Sequence, residues 1–569
     1  MNYILKFIKF LFPIYYKQFF LFFILTMLAL VLETMSIAII IPLIGLLSGE
    51  VDQITSAKIK FILYYFDQFH SLSYINLVLL TVFIIFIFKN IYSIIYQVWQ
   101  SLFVLRIEQY LSSKLFNNYL SRNMTFFVAN HSGKLIRNMT VEVKNVTKSI
   151  SSLFTLIIEV LMILIIVFLL LFVSIKVTII SFIVLSSYGL VIILYNHKKI
   201  KLLSESRAVI DAKYNKNLID TLNSVNDVKL LDKRSFFLKI HDQIKNLYAQ
   251  NAKSFSIINS LPKPLLELFV ISIVIFFIFY SLNINRSPAY ALQILTLFSV
   301  AALRLLPAIS RTVTSFQSLK FRYISFKILL DELTKNSEVF SEKLLINNKK
   351  DLNFQENITF ENVSFSYGKK EILKTQNIRI KKGEFFLLYG ASGVGKTTIL
   401  NLLMGLIIPS KGKILIDGIN IQENIPGLRK IISYVPQNIY LLDKSIKENV
   451  AFGEKDQDVN IDRLKQSIKF AKIEDLVINN NINEYYLGEK GSKISGGQIQ
   501  RIGVARALYR SPKIIILDES TNGLDYKTEK LFLEDLIKIK KDMTIIFVSH
   551  REHIKNYADN VLELKNDSI

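Results

Sequence analysis

The sequence predicts a multidomain protein: an all-α transmembrane domain of six long helices, followed by an α/β domain built around a phosphate-binding loop. Three observations predict it. Apolar runs of about 20 residues, the length that crosses a bilayer, occur only before position 320. From Leu352 onward short apolar runs alternate with polar helical stretches and Gly turns, the rhythm of a soluble strand-and-helix layer structure. In that second part an apolar strand at 385–389 runs into a glycine-rich loop and then a helical run, the setting that phosphate binding requires. The divisions are a membrane domain over 1–332 with two long cytoplasmic extensions, a linker over 333–351 carrying TKNSE and NNKK, and the α/β domain over 352–569.

Composition excludes several other classes. Of 569 residues, 51% are hydrophobic and only 20% charged, too apolar for an ordinary soluble enzyme or for a disordered chain. The chain has no Cys, so disulfide frameworks and thiolate metal sites are excluded. The six His are scattered, which argues against a metal enzyme. Lys and Arg outnumber Asp and Glu by 69 to 46, a net charge of +23, and where those cations fall decides what they mean.

The membrane domain begins with MNYILKFIKFLF, read as the start of a retained first helix because no small-residue cleavage site follows. Six apolar runs follow, near 19–47, 74–103, 153–173, 177–195, 265–282 and 289–318. Several exceed what a ~30 Å hydrocarbon core needs at ~1.5 Å per residue, so their helices should protrude far past the membrane. The stretch 106–148 holds seven Lys/Arg and two acids, and 198–253 holds twelve and six, whereas the loops at 50–73, 174–176 and 283–289 are short of cations. The positive-inside rule makes the two basic stretches and the N-terminus cytoplasmic. The basicity is therefore topology, and no nucleic-acid partner is expected.

The α/β domain carries the chemistry. Gly390-Ala391-Ser392-Gly393-Val394-Gly395-Lys396-Thr397-Thr398 is GxxxxGK[ST]: glycines let backbone N–H groups wrap phosphates, Lys396 reaches the β and γ phosphates, and the Thr397 hydroxyl ligates Mg²⁺. A second strand, Ile514-Ile515-Ile516-Leu517, ends in Asp518-Glu519. An acid at such a strand end can hold Mg²⁺, and the next carboxylate can polarise an attacking water; the plainer alternative is a strand end capped by solvated acids.

Between the two lies Ile494-Ser495-Gly496-Gly497-Gln498, opening a helix with Gln500 and Arg501. Here the sequence resembles the ATP-binding cassette (ABC) family, whose signature is LSGGQ. Tyr367 in FSYG matches the aromatic that stacks on adenine, Gln437 in YVPQN the Q-loop, Asn522-Gly523-Leu524-Asp525 the D-loop and His550 in FVSH the switch His. The resemblance implies ATP and Mg²⁺ as cofactors, with Thr397, Gln437 and Asp518 at the metal and Glu519, His550 and Gln437 catalytic. It implies that Ser495, Gly496, Gly497 and Gln498 serve the ATP of a partner cassette, hence a homodimer hydrolysing ATP at both sites. Ile494 stands where Leu is usual and Asn522-Gly523 where Ser-Ala is common, departures that bear on coupling between the sites.

Six membrane runs before one cassette look like the exporter-type ABC half-transporter, in which loop tips near 122–134 and 207–223 would dock onto the cassettes and Leu487-Gly488-Glu489-Lys490-Gly491 would sit beside them. Cargo is addressed by four cations inside apolar runs: Lys89, Lys263, Arg304 and Arg311. Each costs about 2.5–3.5 kcal/mol at a helix centre if unpaired. Lys89 and Arg304 lie about 22 Å deep, Lys263 and Arg311 about 30 Å. A twofold dimer would ring a cavity with eight cations, suited to a polyanionic head such as a pyrophosphate. The alternative is that Lys263 pairs with Glu267, that Lys89 and Arg304 pair with Glu33 or Glu159, and that Arg311 snorkels to the inner surface.

In the loop after the first helix, Ile59, Ile62, Leu63, Phe66 and Phe69 recur at helical spacing, an amphipathic segment that lies on lipid or packs on its own membrane helices. With Arg304-Leu305-Leu306-Pro307, Arg311, Thr314 and Ser315, the chain resembles the PglK-type bacterial flippases of lipid-linked oligosaccharides. That implies a multi-pass protein of the bacterial inner (cytoplasmic) membrane, both termini cytoplasmic, acting on a lipid-linked anionic substrate among membrane lipids. Lys89 and Lys263 would keep charge but lose the bidentate binding of Arg. The alternatives are an exporter of another amphiphile (peptide, drug or lipid A precursor), a nucleic-acid ATPase, which the spans oppose, and a non-hydrolysing gate, which Glu519 and His550 oppose.

Overall fold

The computed structural model describes residues 2–38, 74–171, 175–283, 288–334, 352–368, 370–391, 393–478, 485–521 and 526–564. They form two compact units, one of Met1–Ser121 and Ala129–Ser337, the other of Arg122–Val128 and Glu338–Ile569. The amphipathic segment read at 59–69, most of the linker, Ser392, the Asn522–Asp525 motif and the Arg304 side chain lie outside the described residues.

The first unit is helical: α1 (Asn2–Ala38), α2 (Tyr74–Leu120), α3 (Val143–Leu171), α4 (Ile175–Asn223), α5 (Arg234–Ser260), α6 (Pro262–Asn283), α7 (Pro288–Phe321) and α8 (Tyr323–Thr334). α2 has 47 residues and α4 has 49, so at ~1.5 Å per residue each reaches about 70 Å, more than twice a hydrocarbon core. Punctuation follows the prolines. α1 leaves helical geometry at Tyr15, just past Pro13, and α5 gives way to α6 at Leu261–Pro262, where the ring supplies no N–H to continue the ladder. Among the described residues four segments are long and apolar enough to cross a membrane: Asn2–Ser36, Leu79–Leu120, Ser132–Leu169 and Arg234–Ser272. The runs at 177–195 and 289–318 fall in α4 and α7, where many side chains are outside the described set.

Aromatic rings seam α1, α2 and α3 together: Phe22 stacks on Phe154 at 4.2 Å and Phe103 on Phe154 at 5.9 Å. Ile166, Leu266, Leu305 and Ile309 join α3, α6 and α7. Below them a turn of π-helix, Asn138–Glu142, leads into α3 and buries Glu142 completely. Its carboxylate accepts from Ser325 Oγ of α8 at 2.6 Å and from Arg207 Nη2 of α4 at 3.3 Å, and Arg207 Nη1 donates to Asp211 Oδ2 at 3.0 Å. Arg137 closes the knot by donating to the Ala208 carbonyl at 3.0 Å.

The second unit is α/β. β1 (Asn357–Tyr367), β2 (Lys370–Lys381), β4 (Lys411–Ile416) and β5 (Ile419–Asn420) form an antiparallel sheet in the order β2-β1-β4-β5. β3 (Phe385–Gly390), β6 (Ile432–Val435), β7 (Ile514–Asp518), β8 (Thr544–Ser549) and β9 (Asn560–Leu564) form a parallel sheet in the order β6-β7-β8-β3-β9. The central strands are continuously apolar because both faces are covered. Alternate residues go opposite ways: Phe386, Leu388, Ile516 and Ile546 into one core cluster, Phe385, Leu387, Ile515 and Phe547 into the other. The order places the ends of β3 and β7 on either side of β8, where an open parallel sheet binds its ligands.

Candidate active site

β3 ends at Gly390 and the loop turns into a helix, α9 (Lys396–Leu403). Two glycines permit the turn. Gly395 sits at φ +90, where a Cβ would stand 3.1 Å from Leu373 Cδ2, and at Gly390 a Cβ would meet the Leu564 carbonyl oxygen at 2.8 Å. Gly393 is left-handed too, at φ +87, but nothing lies within 4 Å of where its Cβ would be. The loop is thus packed behind and open at Gly393, and the first N–H groups of α9 have no partner within the helix itself, a cradle that fits phosphate oxygens. Lys396, 7% exposed, folds back so that Nζ donates to the Gly390 carbonyl at 2.7 Å. Thr397 is exposed and Thr398 buried.

β7 delivers the acids. Asp518 is buried and accepts from the Tyr434 hydroxyl of β6 at 3.1 Å. Burial pushes its carboxyl above the ordinary Asp range, opposed by the Tyr434 bond and Lys396 and reinforced by Glu519. Burial and the Asp518 charge push the Tyr434 phenol up in turn. Glu519 turns the chain with φ +45 and ties its N–H to the Val548 carbonyl at 3.1 Å. Its carboxylate collects Gln437 Nε2 at 2.6 Å, His550 Nδ1 at 3.2 Å and Lys396 Nζ at 3.5 Å.

Five residues named from sequence, Lys396, Gln437, Asp518, Glu519 and His550, are therefore brought together. Tyr434 was missed, although it stands in the same YVPQN string as Gln437. Tyr367 is half-buried, edge-on to Phe365 at 4.8 Å. Ser495 caps a helix, α10 (Gly496–Tyr509): it accepts from Gln498 N–H at 3.3 Å while its own N–H donates to Gln498 Oε1 at 2.8 Å, a reciprocal capping box. Gly496 meets nothing within 4 Å of where a Cβ would be. Among the described residues no three His, Asp or Glu cluster in a way that could hold a metal ion unaided, so a cation here needs phosphate oxygens as further ligands. In the same unit, Met124 N–H of the segment expected to dock donates to the Leu406 carbonyl at 3.4 Å.

Of the two readings of the cations in the apolar runs, pairing is what the described residues show for Lys89, with the Glu33 named from sequence. Lys89 Nζ lies 2.6 Å from Glu33, both buried. Arg311 forks onto Glu159, Nε to Oε1 at 2.5 Å and Nη2 to Oε2 at 3.2 Å, so it pairs within the helices instead of snorkelling, yet its side chain stays 53% exposed. The reason is desolvation: two buried acids draw the nearest cations. Lys263 is exposed in the first turn of α6 and, among the described residues, forms no ion pair with Glu267.

Residues 373–522 match the family described as ABC transporter, and residues 19–306, more than half of the chain, match the family described as ABC transporter transmembrane region. The chain is 26% identical over 545 residues to the leukotoxin translocation ATP-binding protein LktB of Mannheimia glucosida, covering 95% of this chain and 74% of that protein. LktB of Mannheimia haemolytica gives the same identity and coverage. In fold it is similar to a bacterial Atm1-family ABC exporter solved with ATP bound, with a TM-score of 0.78 at 20% identity, covering 97% of this chain and 94% of that one. With both halves matched in one chain, the protein belongs to the ABC transporter family, as an exporter-type half-transporter that couples ATP hydrolysis to movement of a substrate across a membrane.

Proposed function

We propose that two copies of this chain form an ATP-driven flippase of the bacterial cytoplasmic membrane, both termini inside, moving a polyprenyl-pyrophosphate-linked oligosaccharide to the outer leaflet. The observation that carries the ATPase is the convergence of Gln437, His550 and Lys396 on the Glu519 carboxylate. In this reading the loop N–H groups and Lys396 hold the β and γ phosphates, Ser392 and Thr398 belong to the same cradle, and Tyr367 stacks on adenine. Thr397, Gln437 and Asp518 would hold Mg²⁺, which supplies charge neutralisation on the phosphate oxygens when bound. Glu519 takes the attacking water's proton and His550 steadies the transferring phosphate. Ser495, Gly496, Gly497 and Gln498 close the partner's site, since a capped helix N-terminus favours an anion.

The cargo reading is narrower than the charge count implied. Lys89 is neutralised by buried Glu33, which leaves Lys263, Arg304 and the exposed face of Arg311 to meet a pyrophosphate. A second reading, export of a polypeptide, is favoured by relatives named for leukotoxin translocation. The deciding experiment is ATP-dependent translocation of a polyprenyl-pyrophosphate oligosaccharide in proteoliposomes. Flipping that requires Glu519, lost in Glu519→Gln, is the expected result. ATP turnover with no glycolipid movement removes the flippase and leaves the polypeptide.

A further inference from the structure

Beyond the Glu519 strand end the chain enters α11 (Tyr526–Ile539), whose stripe Phe532, Leu533 and Leu536 is buried in the core. Glu529 shares that stripe one turn earlier and is 1% exposed. A carboxylate so placed carries a large desolvation cost unless it is paired. One oxygen, Oε2, takes both partners, Arg551 Nη1 at 2.7 Å and His553 Nε2 at 3.1 Å, while among the described residues Oε1 is buried without a hydrogen-bond partner. Tyr526 packs edge-on against His553 at 5.9 Å.

What this holds in place is the chain around His550. β8 fixes the residue before it, and Arg551, the residue after it, is fixed by Glu529 and by its own N–H on Ser549 Oγ at 3.0 Å. His550 is itself 52% exposed, so packing does little to orient it. We propose that Glu529 is a positioning residue of the ATPase: through Arg551 and His553 it sets the segment after β8 so that His550 Nδ1 faces the Glu519 carboxylate. This rests on the reading of Glu519 and His550 given above. Glu529 does not touch the phosphate cradle, so its loss should slow turnover and leave ATP affinity intact.

The test is steady-state ATP hydrolysis by the full-length protein. Glu529→Gln keeps the volume and removes the charge; the expected result is a fall in kcat of about tenfold with KM for ATP unchanged, beside the lower melting temperature that breaking a buried ion pair brings. Arg551→Gln combined with His553→Gln should give the same fall, and adding Glu529→Gln to that pair should cost nothing more. Should Glu529→Gln not fold, the Arg551 and His553 pair carries the same test. The proposal is overturned if kcat is unchanged in folded Glu529→Gln, or if KM for ATP rises as kcat falls, which marks a structural role only. Glu519→Gln runs alongside: residual full turnover there would overturn the site reading, independently of what Glu529→Gln does.

Discussion

Glu519 occupies a left-handed backbone that costs a side-chain-bearing residue of order 1–3 kcal/mol, and it stays there because its N–H, and three groups on its carboxylate, hold it. Its identity was legible in the sequence; its conformation was not, because the bonds that impose it come from β8, the Q-loop and the loop lysine. Tyr434 escaped for the same reason: its bond to Asp518 exists only once β6 lies beside β7. The loop glycines allow a graded prediction at this scale. Gly393→Ala and Gly395→Ala both place Cβ on a left-handed backbone, a penalty of about 1–2 kcal/mol. Only at 395 does the new carbon also press on Leu373 Cδ2, at 3.1 Å, and Ile372 Cγ2, at 3.4 Å. Gly395→Ala should therefore lower the melting temperature further than Gly393→Ala; equal losses in thermal unfolding would show that the packing behind the loop does not matter.

At the level of elements, the parallel strands were readable as uninterrupted apolar runs, and the long helices as spans with basic extensions. The knot that ties α3, α4 and α8 was not, since Glu142, Arg207, Asp211 and Ser325 look on paper like solvated cytoplasmic residues and are brought together only by a π-turn. Burial pushes the Asp211 carboxyl above its ordinary value, against the pull of Arg207. Glu142→Gln keeps the shape but leaves two arginines short of a counter-charge, and should cost about 3–5 kcal/mol. Ser325→Ala removes two bonds, the one Oγ donates to Glu142 and the one it accepts from Arg207 Nη2 at 2.9 Å, with no loss of charge, and should cost about 1–3 kcal/mol. Denaturation of the full-length protein checks the order, and a larger loss for Ser325→Ala would sink the charge argument. In the cassette, β9 is fastened to β3 by Asp559, which accepts from Phe385 N–H at 2.8 Å and Lys540 Nζ at 2.6 Å. Burial works to raise that carboxyl, but Lys540 and the Phe385 N–H outweigh it and hold it below the usual Asp range. A depressed acid stabilises the fold above its unfolded value and loses that contribution as pH falls through its folded value. Asp559→Asn should accordingly be less stable than the parent at neutral pH, with the gap closing as pH drops below the ordinary Asp range; a gap that is flat with pH would rule the linkage out.

For the molecule as a whole, the chain carries one Ser495 capping box and one Lys396 cradle. In the reading proposed above, a second copy turned by a twofold axis brings each cradle to the other chain's signature. The expectation of a second copy comes from one GxxxxGK[ST] and one SGGQ in 569 residues; for the cargo the sequence left open whether the cations in the apolar runs pair, and the packed helices pair Lys89 with Glu33 and Arg311 with Glu159. The shared-site arrangement makes a prediction that neither half can make alone. Lys396→Ala should disable the cradle in one chain and Ser495→Arg the signature in another, so each variant's own dimer traps no ATP. Mixed in equal amounts, half of the dimers contain one of each, and in those the intact cradle faces the intact signature at one of two sites. ATP retention should return to about one quarter of the parent's. Retention that stays at zero in the mixture would mean that each chain closes its own site, and the dimer would then have no part in ATP binding.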